Sequence, residues 1–487
     1  RRDDHVGRYR EMKKTILMRG MKVLNVAASI ALFAFGWYGY YASGRYPGLT
    51  ESGMLICAFY AILLVIMRRV YNAYDVGGSR VSEFIYSLSL SDVIVAGIVY
   101  VVASVSGIAL LNPLPLLGTV VLQGIWNAVW SLVANKIYFR IHKAKKTVII
   151  YGEDNDLKKL AEIKYFSSKF DVQKYMKNPV DDIHAIIREI EGYDVVFVAG
   201  IPATLRNGIV KYCVEQNVQG YIAPHVGDVI MAGATYMQMF SVPLVRVRRS
   251  QPSPEYLFIK RAFDIFVSLI GIIVTSPVML VTAIAIMAYD HGPALYKQVR
   301  LTKDGREFKI LKFRSMRVNA EKDGVARLAS AHDDRITPVG HFIRACRLDE
   351  LPQLFNILKG DMTIVGPRPE RPEIAAQYEE EMPAFNLRLQ VKAGLTGFAQ
   401  VEGRYNTTPY DKLQMDLMYI NSMSVSEDLR LMFATVKILF MKDSTEGVAD
   451  GQVTASAGLK ESATVVSMEH PKQKADGTYG AVAVRKN

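Results

Sequence analysis

Four apolar runs stand before Lys136, roughly Val23–Tyr41, Met54–Met67, Phe84–Leu111 and Leu114–Val133. Nothing else in the chain restricts its fold as much. Hydrocarbon offers no partner to a backbone amide, so a chain that enters it must form helices or close into a barrel. These runs lack strict alternation and read as helices. A spanning helix needs about 20 residues, so the second run must extend into its flanks. Basic residues set the orientation. Arg8, Arg10, Lys13, Lys14 and Lys22 precede the first run; Arg68, Arg69 and Arg80 separate the second from the third; Lys136, Arg140, Lys143, Lys145 and Lys146 follow the fourth. The other two connections, SGRYPGLTESG and LLNPLPLL, are nearly free of Lys and Arg. Residues 1–142 are thus expected to form a four-helix transmembrane bundle with both ends in the cytoplasm. The formal charge of +12 then points to anionic headgroups and anionic substrates, not to nucleic acid. No small-residue cleavage site follows the first run, so no removable leader is expected.

Residues 143–250 change character. TVIIYGEDND reads as a buried strand, a turn and a helix from about Leu157; GYDVVFVAG is a second strand near 193–200, followed by a helix through Cys213; VQGYIAPHVGDVI supplies a third. Strands alternating with helices predict a parallel, Rossmann-like α/β module. A dinucleotide site would need a glycine-rich turn after the first strand, but Gly152 is followed by EDNDL, whose acids would repel a pyrophosphate. The module is expected to lack that site and to serve regulation, assembly or spacing. Three cysteines, Cys57, Cys213 and Cys346, have no metal or disulfide spacing.

A fifth segment, Ile265–Tyr289, carries no charge, yet Lys260 and Arg261 precede it and Lys297, Arg300, Lys303 and Arg306 follow it. Both flanks read as cytoplasmic. Near its middle lie Ser276 and Pro277; the proline removes a backbone donor and kinks a helix, and the serine can cap the carbonyls set free. The expected form is a re-entrant helix over about 262–289, broken there and returning to the same side.

The chemistry gathers in RLDELPQLFNILKGDMTIVGPRPE, Arg347–Glu370. Asp349 and Glu350 are adjacent, Arg344 and Arg347 stand just before them, and Arg368 sits in a proline-rich loop. Carboxylates crowded among arginines suit phosphate chemistry. Adjacent carboxylates repel, and Mg²⁺, which favours one or two carboxylates with phosphate oxygens and water, is the natural ion between Asp349 and Glu350. Arg344 and Arg368 are candidate phosphate ligands. In ILKFRSM, Lys312 and Arg314 alternate with apolar residues, so a strand would put both cations on one face toward phosphates. Arg404 in QVEGR is a lesser donor-site candidate, and Asp416 in MDLMYI a lesser metal ligand that can equally pair on a helix. Cys346 has no evident base and reads as a buried helix residue. After Gln414 the sequence reads as amphipathic helices, at the membrane interface or on the domain core. Residues 443–487 read as a disordered tail.

From about Ile259 to Leu439 the chain resembles the bacterial sugar transferases, the monotopic phosphoglycosyl transferases that load a hexose-1-phosphate onto a polyprenyl phosphate. KRAFDIFVSLIGIIVTSPVML, ILKFRSM, DDRITPVGHFIR, the Asp349–Glu350 stretch and GLTGFAQVEGR carry the resemblance, in order. It departs from the family at Ala393, often proline, and at Phe398, often tryptophan. The resemblance implies a mainly α (α+β) catalytic domain over 251–442 with a re-entrant membrane helix. It implies that Asp349 is a nucleophile forming a phosphosugar–enzyme intermediate, with Glu350 as its acid/base or metal-side partner. The donor would be a UDP-sugar and the acceptor undecaprenyl phosphate, with UMP released. The place would be the cytoplasmic face of the bacterial inner membrane, at the start of exopolysaccharide, capsule or O-antigen repeat-unit assembly. Two other readings differ in what they require. A membrane nucleotide-sugar dehydratase or epimerase needs Y-x-x-x-K, which Tyr9–Lys13 and Tyr165–Lys169 match formally; an assembly scaffold has no need of Asp349 and Glu350. The extra helices and middle module leave room for a homodimer interface, and the hexose is not specified.

Overall fold

A computed structural model describes residues 2–43, 46, 49, 51–78, 80–106, 110–160, 167–177, 179, 181–318, 320, 333, 335–403 and 408–439. Arg404 and the stretch from 443 onward lie outside the described residues. The chain divides into two compact units, one built from Arg1–His225 with Ser426–Met441 and the other containing Val226–Val425.

In the first unit the apolar runs form α1 (Arg2–Gly36, continued by a π-helical turn over Trp37–Tyr41), α2 (Gly53–Val70), α3 (Val81–Ser106) and α4 (Leu114–Ile141). All four are long and apolar enough to cross a membrane, as is the helix over Pro254–Asp290 in the second unit, and they mark a membrane protein. Aromatic stacking runs along α1, where Phe33 lies 3.8 Å from the Tyr60 ring of α2. Polar groups then fix the register. Arg68, fully buried on α2, pairs with the fully buried Asp92 of α3 at 3.0 Å. Its guanidinium also donates to Asn25 and Ser29 of α1, each at 2.6 Å, and Asn127 of α4 donates to the second oxygen of Asp92 at 2.5 Å. Every helix of the bundle contributes a member. Buried charge is costly unless paired and hydrogen-bonded, and removing one partner of such a pair costs about 3–5 kcal/mol. Arg68 is therefore not a loop cation, as the charge count had taken it. Arg69, exposed, also lies in the last turn of α2, and the connection that follows keeps Arg80, exposed as well.

A four-stranded parallel sheet follows, with β1 (Lys145–Tyr151), β2 (Phe170–Lys177), β3 (Val195–Ala199) and β4 (Gln219–Ile222) in the order β2-β1-β3-β4. Strand side chains alternate between faces. Val148, Ile150, Val196 and Val198 pack against α6 (Ile183–Ile190) and α7 (Ala203–Glu215), whereas Ile149, Tyr151, Val195 and Phe197 form a second core with Phe170. A short helix, α5 (Asp154–Leu160), follows β1. At the carboxyl ends of β1 and β3, Gly152 and Gly200 stand close together. A methyl group at Gly200, whose φ is +66°, would lie 1.8 Å from the Asp156 carboxylate. That carboxylate sits at the carboxyl ends of β1 and β3, the end at which an open α/β sheet usually binds its ligand. The last helix, α15 (Val425–Leu439), belongs with the bundle rather than with the domain core: the Tyr71 hydroxyl donates to Phe433 O at 3.0 Å, and Lys437 donates to Ser87 at 2.8 Å.

The second unit starts with α8 (Val226–Ala232) and an antiparallel hairpin, β5 (Thr235–Met239) and β6 (Val242–Arg246). Helix α9 (Pro254–Asp290) begins where Ser253 caps the Tyr256 amide and Pro254 supplies the pre-set φ of a first helical turn. It runs without interruption through Pro277, where the sequence predicts a break. The carbonyl that the proline leaves without its usual donor is that of Ile273, and the Ser276 hydroxyl donates to it at 2.8 Å. Phe266, Ile273, Val274 and Val281 are each more than 60% exposed on this helix, as a lipid-facing surface would be. Beyond it come the hairpin β7 (Leu295–Leu301) and β8 (Glu307–Phe313), α10 (Pro338–Ala345), a 3₁₀ turn over Leu348–Glu350, α11 (Gln353–Lys359) and β9 (Thr363–Val365). Then follow α12 (Pro372–Glu381), a 3₁₀ stretch over Pro383–Gln390, β10 (Gly394–Thr396) parallel to β9, α13 (Phe398–Val401) and α14 (Pro409–Asn421).

Candidate active site

The carboxylate pair sits on a tight turn between two helices. Helix α10 is started by the Thr337 side chain, which accepts from the Gly340 amide at 2.9 Å, and it ends at Cys346. Arg347 then adopts a left-handed backbone, φ 56°, uncommon for a residue with a side chain. This reverses the chain into the 3₁₀ turn that carries Asp349 and Glu350, and α11 follows.

What holds α11 holds the turn. The buried Asn356 donates to Lys309 O and accepts from the Leu311 amide, both at 2.9 Å, and so clips α11 to the edge of β8. One residue beyond Leu311, Lys312 reaches Glu350 at 3.0 Å. At the far end of α11 the Arg261 guanidinium donates to the carbonyls of Ile357 and Leu358 at 2.7 and 2.8 Å, and Lys392 donates to Gly360 O at 2.9 Å. These cations satisfy the orphan carbonyls and the negative end of the helix. The buried Asp264 of α9 accepts from Thr363 Oγ1 at 2.7 Å and from the Ile364 amide at 3.0 Å, tying the membrane helix to β9.

The two carboxylates differ in environment. Burial alone would raise the Glu350 pKa, but Lys312, Arg368 and Arg347 outweigh it and hold the group well below the usual carboxylate range. Lys312 and Arg368 share its Oε1, at 3.0 and 3.3 Å. Burial and, next, the neighbouring Glu350 anion raise the pKa of Asp349, against the pull of Lys312, Arg344 and Arg347. One member is a fixed anion and the other a carboxyl under pressure to lose its charge, a division found where carboxylates act on phosphate or in acid–base chemistry.

Arg368 comes from the loop before α12, and its own placement is built. Arg388, 4% exposed, donates to the Arg368 carbonyl at 2.9 Å and pairs with Asp416 at 2.7 Å and with Glu370 at 3.5 Å. Asp416 is thus part of this buried clamp; burial raises its pKa and Arg388 opposes the rise. Arg314 pairs with a different acid, Asp290. Strand β8 ends at Phe313, so the alternation stops, and the guanidinium turns to Asp290 at the end of α9, 2.5 Å to each carboxylate oxygen. Arg344 lies close enough to lower the Asp349 pKa. Cys346 is exposed at the helix end, where a buried position was expected. Asn356 and Arg388 were not read from the sequence as part of the site. Their only signals were an amide inside the apolar run LFNIL and an arginine inside NLRLQV. Among the described residues, no group of three or more acids, histidines or cysteines could hold a metal ion.

These features describe a membrane protein that carries, behind an apolar helix, a carboxylate pair ringed by cations. Residues 255–442 match the family model described as bacterial sugar transferase. A UDP-N-acetylgalactosamine–undecaprenyl-phosphate N-acetylgalactosaminephosphotransferase of Aeromonas hydrophila is 43% identical over 191 residues, 39% of this chain and 45% of that protein. A UDP-glucose:undecaprenyl-phosphate glucose-1-phosphate transferase of Klebsiella pneumoniae is 41% identical over 200 residues, 40% of this chain and 43% of that protein. The match therefore spans less than half the length of these two relatives. A Bacillus subtilis (strain 168) protein is 49% identical over 140 residues, 29% of this chain and 78% of its own length. The chain belongs to the bacterial sugar transferase family.

The raised Asp349 pKa sets a pH dependence. If the ionised form of Asp349 acts, the acid limb of the single-turnover rate is displaced upward from the ordinary aspartate value, and activity rises with pH through it. Glu350→Gln removes the anion that helps raise it, so the residual rate of that variant should titrate at lower pH. A limb that stays in place would contradict the coupling of the pair.

Proposed function

We propose that this chain transfers a hexose-1-phosphate from a UDP-sugar to undecaprenyl phosphate, releasing UMP, through a phosphosugar–Asp349 intermediate. The observation that carries the proposal is the asymmetric pair: Glu350 ionised between Lys312 and Arg368, with Asp349 beside it, shielded and under pressure to lose charge. In the first step an Asp349 oxygen attacks the phosphorus next to the sugar. The P–O bond to the uridylyl phosphate breaks, UMP departs with its electron pair, and an acyl phosphate remains. In the second step an oxygen of undecaprenyl phosphate attacks the same phosphorus, Asp349 leaves as carboxylate, and a lipid diphosphate sugar results. Splitting the transfer this way replaces one encounter of two polyanions with two displacements at a fixed carboxylate. Arg344 and Arg368 would meet phosphate oxygens, with Arg404 toward the donor. Relatives whose names state a UDP-sugar and undecaprenyl phosphate support the reading.

Mg²⁺ fits the donor set: two adjacent carboxylates, one of them short of positive charge, suffice when phosphate oxygens and water complete the shell. Asp349 and Glu350 would hold it, and it would supply charge neutralisation. Asp416, committed to Arg388, would not. We further propose that α9 is re-entrant, kinked at Pro277 and stabilised there by Ser276, with both flanks and the carboxylate pair on the cytoplasmic side of a multi-pass inner-membrane protein. The parallel α/β module would act as a Rossmann-like regulatory or assembly element; the Asp156 carboxylate beside Gly152 and Gly200 is unfavourable to the pyrophosphate of the dinucleotide that a dehydratase would need. The product would start a surface polysaccharide repeat unit.

Protein in lipid nanodiscs, offered UDP-hexoses one at a time with undecaprenyl phosphate, should release UMP from at least one. Asp349→Asn or EDTA should lower the rate by about 10³-fold or more. Silence toward every UDP-sugar would overturn the assignment. For topology, single cysteines placed at Arg261 and at Lys297 should both escape a membrane-impermeant thiol reagent in intact cells; labelling of the second alone would make α9 a full span.

A further inference from the structure

A lysine beside the Arg368 loop has no partner in the protein to account for it. Helix α14 opens where the Thr408 side chain accepts from the Asp411 amide at 3.2 Å, and Lys412 follows in its first turn. Lys412 stands one turn before Asp416, so the two share a face of the helix. On that face Asp416 meets Arg388, which donates to the Arg368 carbonyl at 2.9 Å. The lysine is thereby set against the loop that carries Arg368.

The surrounding cations are committed. Arg388 holds Asp416 and Glu370, Arg300 donates to Pro369 O at 3.2 Å and to Gln298 at 2.6 Å, and Arg368 reaches Glu350. Lys412 differs. Among the described residues, the ammonium of this half-buried side chain makes neither a hydrogen bond nor an ion pair. A positive charge there is opposed three times over: by the positive end of a helix, by partial loss of water, and by two arginines. Burial first, and then Arg368 and Arg388, press the Lys412 pKa down, while Glu370 and Asp416 oppose them. An anion that arrives with the substrate would relieve all three.

The two-step transfer has a place for such a cation. Phosphoryl displacements run with the attacking and leaving oxygens roughly in line. Asp349 attacks the phosphorus opposite the uridylyl phosphate. The lipid phosphate then attacks opposite the new bond to Asp349, from the position that UMP has left. Two phosphates therefore use one place in turn. We propose that Lys412 lines this place, binding the phosphate of UMP as it leaves and then the phosphate of undecaprenyl phosphate as it enters. This role rests on the transfer proposed above. No proton moves: the ammonium balances the charge that grows on the departing oxygen, and later reduces the repulsion between the lipid phosphate and the bound phosphosugar.

The test compares the full chain in nanodiscs with Lys412→Met and Lys412→Arg. UMP release is timed without acceptor, and decay of the loaded enzyme is timed after undecaprenyl phosphate is added. Lys412→Met should slow both steps by about 10- to 100-fold, and Lys412→Arg should restore most of each rate. In the Asp349→Asn background, which does not turn over, Lys412→Met should weaken UMP binding by about tenfold and leave uridine binding as it was. The thermal unfolding midpoint should hold, because no protein group loses a partner. Parent rates in Lys412→Met, slowing of one step alone, equal loss of UMP and uridine binding, or a lowered midpoint that arginine does not restore would each overturn the proposal. A parent chain that gives no burst of UMP would overturn the transfer reading, and this role with it.

Discussion

Two carboxylates one residue apart cannot both stay ionised in a partly buried site unless cations answer for at least one of them. In this protein Lys312 and Arg368 answer for Glu350 through a single shared oxygen. The rest of the second unit can be read from that contact outward. Lys312 arrives because Asn356 clips α11 to β8, and Arg368 arrives because Arg388 grips its loop from the carbonyl side. Asp349 inherits the consequence, a carboxylate whose neighbour's charge is fixed and whose own is disfavoured.

The membrane helix takes part in the same construction. Arg261 and Asp264, one turn apart on α9, secure the end of α11 and the start of β9. The apolar helix is therefore a structural support of the site as well as a lipid contact, and the site's depth relative to the bilayer depends on how α9 lies in it. Some cations of this unit neutralise carboxylates, as Lys312 does, and others cap carbonyls, as Arg261 and Lys392 do.

Much of this was legible in the sequence, because the informative patterns were local. Apolar runs without charge give helices, and Asp349, Glu350 and the arginines around them lie within a short stretch. What the sequence hid depended on partners far along the chain. Arg68 looked like a loop cation until Asp92 appeared opposite it; the signal was an aspartate inside the apolar run Phe84–Leu111, which lipid would not tolerate unpaired. Arg314 followed the alternation of Lys312 only if the strand went on, and it stops one residue short. Strand β2, FDVQKYMK, sits at the sheet edge and is half polar, so it carried no buried run to mark it. The α15 segment gave its amphipathic pattern but not the surface it covers.

The central claim is that Asp349 becomes covalently linked to the transferred phosphosugar, and one measurement bears on it directly. The purified protein in lipid is mixed with a UDP-sugar it uses, without any polyprenyl phosphate, and is then digested and weighed peptide by peptide. The expected result is a burst of UMP of about one equivalent per site and a sugar-phosphate increment on the peptide that contains Asp349, absent in Asp349→Asn. Contradiction would be an active enzyme that releases no UMP until the lipid acceptor is added and never carries the increment, since the acceptor would then attack the donor directly and the carboxylates would only hold it in place.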